Sequence, residues 1–296
     1  MRTSTMAPQI VAFLSIFLGL VIGHASNSKL LLISLDGFRH DYLELTAAAN
    51  LPTPNFDKLR ARGVSAEVQN IFTTKTLPTH YSIVTGLYQE HHGLVHNRFY
   101  DPVYNDTFGS HESKLDIKWY NGTDPTRLVE PIWITNQKSK QTLLQRRSGV
   151  YQWPGSEVAF HNRLPFHYEV YNSATSALPF DVRIQTVVNW FSNFEAPINF
   201  AALYFPEPDA TGHKYGPNSR EILDQIVKLD QGIGLLMSLL EKRNLSESMN
   251  IVITSDHGMA QMNRSKIIFL SDYLQNNTYK TYGGGILCHI LPQPNN

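Results

Sequence analysis

The chain has 296 residues, 42% of them hydrophobic, and its 25 basic and 25 acidic side chains cancel to a formal charge of zero with His neutral. That composition excludes collagen, coiled coil and disordered linker, and it leaves no basic excess to attract a nucleic-acid duplex. Cys288 is the only cysteine, so neither an internal disulfide nor a thiolate zinc cluster can form.

At the N-terminus, Arg2 precedes the apolar run Ile10 to Gly23 and then the small residues of GHAS. A charged start, a greasy middle and a small-residue end predict a secretory signal peptide over residues 1–25, cleaved after Ala25. An uncleaved anchor is the rival reading, but the run is shorter than the ~20 residues that span a bilayer. Five Asn-x-Ser/Thr sites follow, at Asn105, Asn121, Asn244, Asn263 and Asn276, all in polar stretches that read as surface loops. Behind a signal they are candidate glycan acceptors, and together they predict a secreted or extracellular protein.

Residues 26–296 read as a single catalytic domain. Lys29 to Leu35 (KLLLISL) is a continuous apolar run too short for a helix, hence a strand buried on both faces. Ile198 to Phe205 and Asn250 to Thr254 resemble it. Pro54 to Arg62 reads as a helix, with Thr53 at its cap and Gly63 at its stop. The region Phe99 to Gln145 reads as a loop-rich insertion, and Glu90-His91-His92 as a solvated loop. From Ser219 to Arg243, Ile222, Ile226, Leu229, Ile233, Leu236 and Leu240 recur at helical spacing. Strands alternating with helices predict an α/β fold with a mainly parallel central sheet and helices on both faces.

Each buried run leads into an acidic residue: Asp36 after the first, Asp209 after the second, Asp256 after the third. Ligands of open α/β sheets bind beyond the carboxyl ends of the strands. Asp209 and His213 stand four apart, and Asp256 adjoins His257. Mixed carboxylate and imidazole donors suit zinc; the bland alternative is that these Asp-Gly and Asp-His-Gly segments are strand-ending turns. Thr76, just before Pro78 and an apolar helical pattern, is a candidate nucleophile at a helix N-terminus, where an anion is also favoured. Its own bland alternative is an N-cap.

Taken in order, LDGFRHDYL (35–43), TTKTLPTHYSIVTGLYQEHHGLVHN (73–97), PIWIT, WPGSEV, EPDATGHKYGP and TSDHGM resemble the ectonucleotide pyrophosphatase/phosphodiesterase family of the alkaline phosphatase superfamily. The likeness runs from Lys29 to Leu291 and is greatest to the short membrane-anchored members. It implies two zinc ions, one held by Asp36, Thr76, Asp256 and His257, the other by Asp209 and His213 with a third ligand. It implies Thr76 as a nucleophile that becomes nucleotidylated, Asn97 as its oxyanion partner, and a nucleotide pocket lined by Lys75, Leu77, Trp153, Glu157 and Tyr171, with Tyr171 stacking on the base. The substrate would be a nucleotide or dinucleotide polyphosphate, released as nucleoside monophosphate. Without the family, Trp153 and Tyr171 read as core aromatics.

The sequence also departs from the family pattern. The third ligand of the second zinc is a His in a Gly-rich motif well beyond TSDHGM, and the sequence stops at Asn296; His289, in the apolar ILCHILP, reads as a strand residue. The C-terminal part of the fold and the relatives' membrane anchor are absent from this sequence, which reads as a truncated product. Leu77 replaces the usual aromatic beside the nucleophile and removes one face of a base clamp, and Thr79 replaces an Asn. Two further readings therefore stand beside the enzyme: a truncated or pseudoenzyme product that binds nucleotide or a partner without turnover, and a phospholipid or choline-phosphate diesterase on the same scaffold.

Overall fold

The computed structural model describes residues 28–109, 111–122, 129–140, 145–172 and 177–293, so the signal-peptide reading for residues 1–25 lies outside the described residues. A five-stranded sheet in the order β5-β4-β6-β1-β7 is formed by β1 (Lys29–Leu35), β4 (Ser148–Tyr151), β5 (His167–Glu169), β6 (Phe200–Phe205) and β7 (Met249–Thr254). Every pairing in it is parallel, as the alternation of strands and helices predicts. Successive side chains of a strand point to opposite faces. Leu31, Ile33 and Leu35 accordingly enter one core with Ala201, Leu203 and Phe205, while Leu32 enters a second with Phe200, Ala202 and Tyr204.

Helices α1 (Tyr42–Ala48) and α2 (Pro54–Arg62) follow β1, and α7 (Phe180–Phe191) and α9 (Arg220–Lys242) cover the first core with them. The α9 stripe is the predicted one, from Ile222 to Leu240, and Ser219 caps the helix by accepting from the Ile222 N–H. Thr53, the expected cap of α2, makes no side-chain cap bond. Its role falls to Asp230 of α9, whose buried carboxylate accepts from the amides of Asn55 and Phe56 at 2.9 and 2.8 Å.

The second core lies under α3 (Thr76–Thr85), α4 (Gln89–His92) and α6 (Ile132–Lys138). Here the structure corrects two expectations. The stretch from Phe99 is a wall of this core, because the β2 (Phe99–Asp101) and β3 (Asp106–Phe108) hairpin and the 3-10 turn 117–120 bury Phe99, Phe108, Trp119 and Tyr120, with Trp133 of α6 beside them. The short α5 (His111–Leu115) lies between hairpin and turn. The Glu90-His91-His92 stretch is likewise no solvated loop, for His92 is fully buried and its Nε2 lies 2.9 Å from the Ser82 hydroxyl. Burial pulls the basicity of its imidazole down to about 4.

The third buried run behaves differently from the first two. As the last strand of the described sheet, β7 pairs only with β1, and Val252 is 46% exposed. Beyond it come α8 (Asp209–Tyr215, between β6 and α9) on one side of the site and the β8 (Tyr279–Gly284) and β9 (Leu287–Pro292) hairpin on the other. No helix among the described residues is long and apolar enough to cross a membrane.

Candidate active site

Three neighbouring strands, β6, β1 and β7, carry their following residues to one end of the sheet. The ends are tied together through the backbone: Asp36 N–H donates to Phe205 O at 3.0 Å, Asp209 N–H to Asp36 O at 2.9 Å, and Gly37 N–H to Asp256 Oδ1 at 3.1 Å. Gly37 sits at φ +70°, and a Cβ there would lie 2.8 Å from the Asp209 Cβ. Only glycine fits a left-handed turn with a second chain pressed against it.

Beyond these ends lies a cleft of about 1070 Å³ lined by Lys75, Thr76, Asn97, Asp209, His213 and His257 among others. The Thr76 hydroxyl is 3.4 Å from His257 Nε2, which in turn is 3.4 Å from Asp36 Oδ1 and 3.2 Å from Asp256 Oδ2. His257 Nδ1 faces the Gly258 carbonyl at 2.9 Å, and a carbonyl can only accept. The ring proton of the neutral form therefore sits on Nδ1 and the Nε2 lone pair points at the carboxylates and Thr76. Thr76 is the first residue of α3, with Lys75 at the cap position and no side chain capping the helix. Its hydroxyl is thus free of the N-cap role and faces the cleft.

Asn97 completes this corner. Its side chain lies 2.9 Å from the Leu77 N–H, so the amide oxygen must be the atom that accepts, which leaves the NH₂ group as an outward donor. On α8, Asp209 Oδ2 and His213 Nε2 are 3.3 Å apart, one turn from each other.

The electrostatics call for a cation. Asp36 Oδ1, Asp209 Oδ1 and Asp256 Oδ2 are buried yet accept no hydrogen bond, a costly state for anionic oxygens. Burial, and after it the neighbouring Asp256 charge, push the Asp36 carboxyl up to about 8. Burial also raises Asp256. For His257 burial acts downward, but Asp256 and Asp36 outweigh it and hold the imidazole above its usual value. Asp36, Asp209 and His257 each bring a ligand atom within 4.8 Å of the others. Oxygen and imidazole donors with orphaned carboxylate oxygens fit zinc. His289 stands outside this group, a strand residue as expected: its ring packs edge-on to His96, centroids 5.6 Å apart.

The remaining pocket residues divide. Lys75 lines the cleft, Leu77 packs half-buried against the second core, and Tyr171 is 47% exposed with its ring 6.1 Å from Tyr204. Glu157 is half-buried and accepts from the Ser156 hydroxyl at 3.1 Å. Trp153 is a correction: it is wholly buried, its indole N–H donating to His80 O at 3.2 Å, so it offers no face to a base and fills the core instead. Asn105, Asn121, Asn244, Asn263 and Asn276 are all exposed.

Two residues that sequence reasoning passed over support the site from behind. Tyr204, on β6, donates to Asp36 Oδ2 at 2.6 Å, and burial with the Asp36 charge raises its phenol, keeping it a donor. His80, fully buried, lies on α3 beneath Thr76; burial depresses its basicity to about 4, so the ring is neutral. The available signals were Tyr204's place on the Leu32 side of an all-apolar strand and the four-residue step from Thr76 to His80, one helical turn.

With this geometry in view, the comparisons with known proteins decide the lineage. The family described as type I phosphodiesterase / nucleotide pyrophosphatase matches residues 30–296. The chain belongs to that family. It is 41% identical over 271 residues to a Xenopus laevis bis(5'-adenosyl)-triphosphatase, covering 91% of this chain and 55% of the relative. To human ectonucleotide pyrophosphatase/phosphodiesterase family member 5 it is 40% identical over 270 residues, covering 90% and 52%. The chain thus spans little more than half the length of these relatives. A solved structure of the murine family member 5, an inactive threonine-to-alanine variant in complex with AMP, superposes with a TM-score of 0.79 at 37% identity, covering 90% of this chain and 67% of that one.

Proposed function

We propose that this chain carries the catalytic centre of a zinc-dependent phosphodiesterase that hydrolyses phosphodiester and pyrophosphate bonds of extracellular nucleotides through a covalent nucleotidyl-threonine. The observation that carries the reading is the convergence of the Thr76 hydroxyl on His257, Asp36 and Asp256, with buried carboxylate oxygens left unpaired. Asp36, Thr76, Asp256 and His257 would hold one zinc, and Asp209 and His213 would contribute to the second. When bound, such dications lower the pKa of the attacking hydroxyl and offset charge on the phosphoryl oxygens.

The protein's own residues do the rest. Thr76 Oγ attacks phosphorus in line, its proton is lost to solvent, and the bond to the leaving phosphate or alkoxide breaks. The backbone N–H of Thr76, the Asn97 NH₂ and Lys75 meet the developing negative charge, an arrangement worth several kcal/mol elsewhere. Tyr171 offers its exposed ring to the base. Water then attacks the same phosphorus, the bond to Thr76 breaks, and the threonine hydroxyl reforms as nucleoside monophosphate departs. Relatives named for action on bis(5'-adenosyl) triphosphate, and an AMP complex of an inactive threonine variant, support this assignment. The signal segment expected from the sequence of residues 1–25 and five exposed sequons support export through the secretory pathway.

A second reading, nucleotide binding without turnover, is favoured by one observation: of the two residues expected at the second cation position, Asp209 groups with Asp36 and His257, and His213 is 74% exposed. Zinc content together with hydrolysis of p-nitrophenyl thymidine monophosphate separates the two. Two zincs and a turnover that falls at least about 10³-fold in Thr76→Ala support the enzyme. Nucleotide binding with one zinc or none and no turnover supports the binder. Turnover of a choline-phosphate ester in preference to the nucleotide ester would point to the phospholipid diesterase.

A further inference from the structure

We propose that His80 is a positioning residue, a single-tautomer strut that fixes the Thr76 turn against the strand carrying Asp36. This inference rests on the reading of Thr76 as nucleophile. His80 is fully buried and yet spends both ring nitrogens on the site. Its Nδ1 is 2.8 Å from the carbonyl oxygen of Thr76, and its Nε2 is 2.8 Å from the hydroxyl of Ser34 on β1. A carbonyl only accepts, so Nδ1 carries the proton and Nε2 accepts from Ser34. The strut therefore runs from the nucleophile's own residue to a point two residues before Asp36.

The ring cannot turn out of this arrangement. Trp153 and Tyr204 stand edge-on to it, with centroids 5.0 and 5.1 Å away. Each wall has a second tie: the Trp153 indole holds the His80 carbonyl at 3.2 Å, and the Tyr204 hydroxyl holds Asp36 Oδ2 at 2.6 Å. One aromatic box thus grips the Thr76 turn and the Asp36 carboxylate together. A histidine that merely filled the core would need neither the Thr76 carbonyl nor a β1 hydroxyl as its partners. Misplacing a reacting group by about 1 Å costs on the order of 10² in rate.

Two substitutions separate strut from filler. In His80→Asn the amide nitrogen falls near the place of Nδ1 and keeps the bond to Thr76. In His80→Gln the longer side chain reaches toward Ser34 and loses that bond. With zinc content and melting temperature matched between the variants, His80→Gln is expected to lower kcat on p-nitrophenyl thymidine monophosphate about 10²-fold with KM little changed. His80→Asn is expected to retain most of kcat. Equal losses, or losses that follow melting temperature, would overturn the proposal. A second measurement needs no turnover: long-range 15N–1H correlation spectra of the unsubstituted, metal-free protein should show the Nδ1–H tautomer of His80 that its carbonyl and hydroxyl partners require. A ring protonated at Nε2, or averaging between tautomers, overturns the strut even if Thr76-dependent turnover is found. A locked Nδ1–H ring in a protein without Thr76-dependent turnover would sink the nucleophile reading and leave the strut intact. Should either substitution prevent folding, the tautomer decides.

Discussion

The two halves of the candidate metal centre are built on opposite plans. Asp36, Asp256 and His257 follow parallel strands, are nearly sealed from water, and are held by backbone ties and by Tyr204. Asp209 and His213 sit on α8, a helix of seven residues, with the His213 side chain 74% exposed and 3.3 Å from its one-turn neighbour Asp209. The strand-end half is preorganised and carries electrostatic strain that a cation would relieve. In the helix half His213 is exposed and adjustable, while Asp209 shares the unpaired carboxylate oxygen of the strand ends. Preorganised donors account for tight binding and orientation, so the first half should dominate affinity while the second tunes it.

The sharpest test of this contrast is a pair of deletions. Asp36→Ala should abolish tight zinc binding at the strand-end position and with it nearly all turnover, at least about 10³-fold, whereas His213→Ala should leave one tightly held zinc. Zinc titration by calorimetry reads both, and equal losses would erase the distinction. Next in size is Tyr204→Phe, which removes only the 2.6 Å bond to Asp36. Loss of such an outer hydrogen bond typically costs about 10- to 100-fold in metal affinity, and an unchanged affinity would mean the backbone ties suffice.

Two smaller effects concern proton linkage. In metal-free protein the Asp36 carboxyl is raised to about 8 from its ordinary value of 3.8. A raised acid contributes stability that is full below its unfolded pKa and is lost as pH climbs through the folded value. The metal-free protein should therefore gain stability from Asp36→Asn at pH 8 relative to pH 5, measured by chemical denaturation at the two pH values; a gain that is the same at both would contradict the assigned burial. His92 has the opposite sign. Depressed from 6.5 to about 4 by burial, it contributes stability that is full above its unfolded pKa and is lost as pH falls from about 6.5 toward 4. His92→Gln should flatten that acid limb, and melting curves across the window would check it.

Much of this was legible in the chain because strands β1 and β6 and helix α9 are long apolar patterns whose period fixes both type and facing. The acidic strand ends were equally visible, since Asp36, Asp209 and Asp256 each follow an apolar run. What escaped was anything decided across the chain. Thr53 looked like a cap, but a carboxylate 177 positions later, Asp230, took the amides. Trp153 matched a pocket motif, yet the His80 ring beside it needed a wall. The stretch after Phe99 looked loop-rich from its Asn, Asp, Pro and Gly, while its widely spaced aromatics were gathered by tertiary packing into one cluster. For β7, composition promised burial on two faces, but only the Ile251 and Ile253 face packs on a core, while Asn250 and Val252 point to the open face.

The register of the sheet has a bearing on folding time as well. Ser34 pairs with Thr254 and Leu35 with Phe205, so the three carboxylates meet only after segments some 170 and 220 residues apart have aligned. Contacts of such sequence separation form slowly because loop closure precedes any reward. The centre is therefore one of the last features to assemble, and a cation captured there would reward only chains that have completed the β6-β1-β7 alignment. Recovery of zinc binding after dilution from denaturant would time the closing of the sheet itself.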